Sequence, residues 1–158
     1  MILLRKILNT ISIIILILPT VNKPAYSSEF SPRNQVKNGI AIYLGLLPAE
    51  MIEGHTASSM HGGLPTGHNR YHVAVAIFND KTGLRINNAT VQIRVNNKIG
   101  AGPEPYKKLE GMEMNGKFMY GNYFSLKTAG PYRIDVRVFI SGTDKPIEVT
   151  FDYDFAHT

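Results

Sequence analysis

The chain contains no cysteine. A domain without it has no disulfide and must be held by packing alone, and any soft-metal site has to use methionine sulfur and histidine nitrogen in place of thiolate. Catalytic signatures are missing as well: there is no G-x-S-x-G, no H-E-x-x-H and no Cys-His pair. Glu110 and Glu113 are an odd number of positions apart, which puts them on opposite faces of a strand and out of reach as an acid–base pair. These gaps argue for a binding protein and against an enzyme. Lysine and arginine form no cluster and do not interleave with aromatics as a nucleic-acid face requires, so nucleic acid is set aside as a partner. There is no internal repeat and no good amphipathic helical pattern. The lack of thiols suits a bacterial periplasm better than an animal secretory pathway.

Long apolar runs are absent too, save one at the start. Arg5 and Lys6 precede residues 7–18, which are apolar apart from Asn9, Thr10 and Ser12; Pro19 ends the run, and Ala25-Tyr26-Ser27 offers a small-x-small cleavage site. A basic head, a short apolar stretch and such a site make an export signal. The stretch is shorter than the roughly 20 residues that a membrane-spanning helix needs. Residues 1–27 are therefore read as a signal peptide and residues 28–158 as a single domain. That domain has 14 Lys/Arg against 12 Asp/Glu once Arg5, Lys6 and Lys23 are removed. Its size is sufficient for one hydrophobic core.

What is present is period-two alternation. Residues 28–38 are polar and read as a leader. From Gly39 onward Ile40, Ile42, Leu44 and Leu46 share one face of a strand. Residues 71–79 are nearly all apolar, as expected of a central strand covered on both faces. Residues 89–95, 132–140 and 147–155 alternate apolar with polar, and turn signals such as Lys81-Thr82-Gly83 separate the segments. Residues 109–114 and 117–126 flank Asn115-Gly116, a strong hairpin signal, because a type I′ turn needs positive φ at both central positions. The pattern predicts an all-β fold: an immunoglobulin-like antiparallel β-sandwich of about seven strands.

Two features could carry chemistry. Residues 48–69 form a long His/Met/Gly-rich loop without periodicity. His55, Met60, His61 and His68 lie in it, and His72 follows at the head of the next strand. Imidazole with thioether favours copper, especially Cu(I), with iron and zinc as alternatives. The plain alternative is a polar surface loop that happens to be rich in histidine, and a His at a strand start is ordinarily a hydrogen-bonded structural residue. The second feature is the hairpin. A two-residue turn sets Met114 opposite Lys117, Glu113 opposite Phe118 and Met112 opposite Met119, so three thioethers share one face. The plain alternative there is core packing, which methionine does well. If Leu109, Phe118 and Tyr120 are the core side instead, the methionines fall near an edge or cavity.

The run from Met112 through Val136, M-x-M-N-G-K-F-M-Y-G-N-Y-F-S-L-K-T-A-G-P-Y-R-I-D-V, resembles a segment of small periplasmic copper-binding proteins associated with high-affinity iron transport. Val36–Gly39, V-K-N-G, is similar to what precedes their first strand. More loosely, residues 83–95 and the later G-x-Y strand resemble YtkA-like and FixH-like periplasmic domains. The first resemblance implies an immunoglobulin-like sandwich beside an iron permease, with metal held by Met and His. It implies that Met112 or Met114 takes the methionine role and His72 a histidine role. Where that family has His before Tyr-Gly, this chain has Met119.

The expectation is a periplasmic metal-binding protein that carries or buffers copper, using His72, Met112 and Met119, with Met114 on the same face and His55, Met60, His61 and His68 closing from the loop. Its partners would be the metal ion and an inner-membrane metal permease or other envelope protein, and a homodimer is left open. The rival is a metal-free interaction module for another envelope protein. N-terminal sequencing of the exported protein should begin near Ser28; recovery of Met1 would show that the segment is not removed.

Overall fold

In the computed structural model, residues 33–52, 61–63, 67–100, 102–114 and 116–155 are described, all within the unit Ser31–Thr158. The signal and its cleavage site lie outside them. The strands are β1 (Asn34–Lys37), β2 (Ile40–Pro48), β3 (Arg70–Asn79), β4 (Ala89–Asn97), β5 (Lys107–Lys108), β6 (Glu110–Met114), β7 (Lys117–Ser125), β8 (Gly130–Ile140) and β9 (Ile147–Phe155), with a 3₁₀ turn at Ala49–Ile52 after β2. They form a five-stranded sheet in the order β1-β2-β3-β7-β6 and a four-stranded sheet in the order β5-β4-β8-β9. Every pairing is antiparallel. The result is the expected all-β sandwich. No helix among the described residues is long and apolar enough to cross a membrane.

Alternation explains the core. Ile42, Leu44 and Leu46 of β2 and Val73, Val75 and Ile77 of β3 meet Val91 and Ile93 of β4 and Ile134, Val136 and Val138 of β8 in one buried cluster. Burying each such side chain is worth about 1.5–3 kcal/mol, which lets a chain without disulfides hold together. Polar groups tie the layers. The Tyr120 hydroxyl accepts from the Ala89 amide at 2.8 Å, and the buried Asn122 amide donates to the Lys108 carbonyl at 3.0 Å. On the outer face of the four-stranded sheet, the buried Asp135 receives Arg94 at 2.9 Å, Arg133 at 2.8 Å and Thr150 at 2.8 Å. Burial alone would raise that carboxyl, but these donors outweigh it and hold the group below its ordinary range.

Three expectations need correction. Two strands come in addition to the seven. Residues 28–38 are not wholly a leader, because Asn34–Lys37 forms edge strand β1. An edge strand with little buried surface needs no apolar alternation, so its polar composition hid it. β1 also reaches the other sheet: the Gln35 side chain donates to the Thr150 carbonyl, and Lys37 Nζ donates to the Glu148 carbonyl at 2.8 Å. The short β5, which lies just before the expected strand 109–114, pairs with β4. The chain then changes sheets at Leu109, whose amide bonds the Val91 carbonyl at 2.9 Å and whose side chain is buried. The third correction concerns β3, which is central but not covered evenly: His72 is buried, whereas Ala74, Ala76 and Phe78 on the same face are only partly so.

The hairpin register is the one that the turn dictates, with Met112 opposite Met119, Glu113 opposite Phe118 and Met114 opposite Lys117. Asn115 lies outside the described residues; Gly116 has φ +70°. Only glycine occupies that region without cost. Gly116→Val should therefore destabilise the domain by about 1–2 kcal/mol, read as a lower melting temperature. An unchanged melting temperature would mean that the turn is not under this constraint.

Candidate functional site

The outer face of the five-stranded sheet is built by the alternate residues left over from the core. Leu109, Phe118 and Tyr120 belong to the core cluster. Met112 therefore points the other way and joins a separate small cluster with Tyr123 and, from the 3₁₀ turn, Ala49 and Ile52; Met114 and Met119 pack against it partly buried. The strand registers bring the rest of the face together. His72 lies opposite Tyr123, and Ala74 lies opposite Gly121; Glu110 lies opposite Gly121 on the other side.

Gly121 is the centre of this arrangement. A Cβ built on it would stand 2.5 Å from His72 Nε2 and 2.8 Å from Met112 Sδ. The missing side chain is what allows an imidazole from β3 and a thioether from β6 to converge over β7. A glycine in a strand interior often marks such a close approach. His72 is 1% exposed, and neither of its ring nitrogens has a hydrogen-bond partner among the described residues. This overturns the plain reading of His72 as a hydrogen-bonded structural residue. Burial lowers its imidazole to about 4, and nearby His61 adds to the shift. The ring is therefore neutral at ordinary pH, the form that can ligate a metal.

His61 comes in from the loop with φ +57°, followed by Gly62 at +82° and Gly63 at +94°. This backbone turns the imidazole inward, so that its side chain is 1% exposed. Its ring stacks on His72 with centroids 5.6 Å apart and an interplanar angle of 27°. Tyr123 meets both rings edge-on, at 5.7 Å from His61 and 5.3 Å from His72. His61 Nδ1 is 2.8 Å from Glu110 Oε2. A carboxylate can only accept, so Nδ1–H donates and, in the neutral ring, the lone pair sits on Nε2. That Nε2 is buried without a hydrogen-bond partner among the described residues. A carboxylate behind one imidazole nitrogen, with the other nitrogen free, is how a metal-ligating histidine is usually oriented.

The sequence-derived candidates thus divide. His61, His72 and Met112 come together. Met114 and Met119 share their face but pack into the apolar cluster beside it. His68 is exposed and has no hydrogen bond or ring contact with the group. His55 and Met60 lie outside the described residues. Glu110 and Gly121 were not singled out as site residues by sequence reasoning; the glycine in a strand interior was the available signal for the second. Among the described residues there is no group of three or more His, Cys, Asp or Glu able to hold a metal, which leaves a mixed nitrogen–sulfur donor set as the chemistry on offer. Orphaned nitrogens on two imidazoles and a thioether over the side-chain-free position Gly121 fit a soft or borderline ion.

No family model matches the chain, and no curated protein matches it. Solved structures do. A copper-bound variant of FetP from uropathogenic Escherichia coli strain F11 aligns with a TM-score of 0.62 at 13% identity, covering 79% of this chain and 95% of that one. The same FetP "as isolated" after expression in the E. coli periplasm aligns with a TM-score of 0.61 at 14% identity, over 77% and 91%. A DUF4426 family protein from Pseudomonas aeruginosa PAO1 aligns with a TM-score of 0.61 at 14% identity, over 78% and 93%. At these identities the likeness is one of fold: this chain has the same β-sandwich architecture as FetP and the DUF4426 protein.

Proposed function

We propose that this is a periplasmic metal-binding protein that carries or buffers copper, with His72, Met112 and His61 as its ligand group. The observation that carries this reading is the convergence over Gly121 of His72 Nε2 and Met112 Sδ, beside the stacked ring of His61, whose Nε2 has no hydrogen-bond partner among the described residues. Leaving such groups buried and unpaired costs about 1–3 kcal/mol each, a cost that an ion accepting their lone pairs would offset. The bound copper of one FetP structure, on the same fold, supports the choice of metal. When bound, the ion supplies a Lewis-acidic centre to which these atoms donate. Glu110 orients His61 and fixes its tautomer, while Tyr123, Ile52 and Ala49 exclude water from one side. The role is binding, without a reaction of its own.

Calorimetry of the metal-free protein with Cu(I) should give binding tighter than about micromolar, equivalent to about 8 kcal/mol. Met112→Leu should weaken Cu(I) by about tenfold or more and spare Cu(II) relative to it. Gly121→Ala should weaken both, because the added methyl occupies the place where the two donors meet. Absence of binding tighter than micromolar in the unmodified protein would end the copper reading.

The pH dependence follows from His72. Its folded value of about 4 lies below the ordinary 6.5, so the unfolded chain takes up a proton between these limits that the folded chain refuses. The metal-free protein should keep its full stability above pH 6.5 and lose on the order of 2–3 kcal/mol as pH falls toward 4. Denaturant melts across that range should show the slope, and His72→Gln should flatten it.

A further inference from the structure

At one end of the sandwich lies a cleft of about 620 Å³ lined by residues of both sheets. Three cations line it: Arg70 at the start of β3, Lys107 of β5 and Lys127 after β7, against one carboxylate, Glu104. Four basic side chains elsewhere are paired: Arg94 and Arg133 with Asp135, Arg137 with Glu148, Lys98 with Asp152. The Arg70 and Lys127 side chains have no carboxylate partner among the described residues.

The frame of the cleft is built. Lys107 Nζ donates to the Tyr123 carbonyl at 2.9 Å and lies 5.4 Å from the centroid of Phe124. Asn97 Nδ2 donates to Thr128 Oγ1 at 2.6 Å, and the Tyr132 hydroxyl donates to the Thr128 carbonyl at 2.9 Å. Burial lowers the Lys107 ammonium; Glu110 works against that, and Arg70 adds to it. Three like charges are thus gathered around one carboxylate of the lining, and an anion would relieve them. The volume lies in the range of small-molecule sites. Phe124, Tyr132, Val95 and Pro105 give it apolar walls, which suit a carbon skeleton better than a bare inorganic ion.

We propose that this cleft binds a small organic anion with two or more carboxylates, held by Arg70, Lys107 and Lys127 against Phe124 and Tyr132. A bidentate arginine fork suits one carboxylate, and the lysines supply point charges to the others. The cleft is lined by none of the proposed metal ligands.

The test is calorimetry on metal-free, chelator-free protein with citrate as the probe and inorganic phosphate as the comparison. Citrate should bind saturably with a Kd below about 1 mM, weaken with added salt, and bind at least about tenfold tighter than phosphate. The double variant Arg70→Gln/Lys127→Gln should lose tenfold or more at an unchanged melting temperature, whereas Lys145→Gln, outside the cleft, should change nothing. If citrate fails to saturate by about 10 mM, or if the double variant binds as the unmodified protein does, the site is refuted. Equal binding of phosphate would refute the organic-acid assignment. Because no metal is present, none of these outcomes bears on the copper reading.

Discussion

The outer face of the five-stranded sheet hangs on the register of the β6–β7 hairpin. Side chains alternate strictly along a strand, so a slip by one residue would exchange the two faces. Tyr120, now in the core with its hydroxyl on the Ala89 amide, would turn outward, and Met112, Met119 and Gly121 would turn into the sandwich. The tight turn at Gly116 prevents the slip from one end, and the burial of Leu109 and Tyr120 prevents it from the other. β7 in turn pairs with β3, so the hairpin register also decides which β7 residue lies across from His72. One turn thereby sets donors from strands far apart in sequence against a common backbone.

Buried polar groups are normally satisfied, and Asp135 shows how this chain does it, with two arginines and a threonine around one carboxylate. His72 and His61 are treated differently. Both rings are shut away from water; the stacking and edge contacts with Tyr123 satisfy their faces, while both nitrogens of His72 and Nε2 of His61 have no partner among the described residues. The pressure on His72 shows as an imidazole lowered to about 4. The apolar inter-sheet core can carry such a cost, because its stabilisation is built on the opposite faces of the same strands. β3 illustrates the division: Val73, Val75 and Ile77 hold the sandwich, and His72, just before them on the other face, is free to be unfavourable.

Much of this was legible in the sequence, for identifiable reasons. Alternation announced seven strands, and Asn115-Gly116 announced the face shared by Met112, Met114 and Met119, since both signals are local. The two added strands were illegible, because β1 gains its place through backbone pairing and β5 is too short to show a period. Within the loop, His55, His61 and His68 could not be ranked: without periodicity nothing in the sequence says which imidazole turns inward. That is decided by positive φ at His61 and the glycines after it. Glu110 was expected on the face opposite Glu113, as the register has it, yet its contact is with a histidine 49 positions away. Met112 was distinguished from its neighbours only by Gly121, a residue whose importance lies in what it lacks.

Tyr123 connects these levels. Its ring is the wall that both imidazoles meet, and its backbone carbonyl receives the Lys107 ammonium. Backbone and side chain of one strand residue thus face two different chemical environments, a soft nitrogen–sulfur group on the outer face and a cationic cleft at the end of the sandwich. A sheet makes this possible without any motion, because consecutive bonds of a strand point in different directions while its hydrogen-bonded ladder holds each fixed. A cationic cleft repels a metal ion, whereas neutral imidazole and thioether do not repel an anion. Placing the two groups on different bonds of one rigid strand lets a small domain of modest net charge present both.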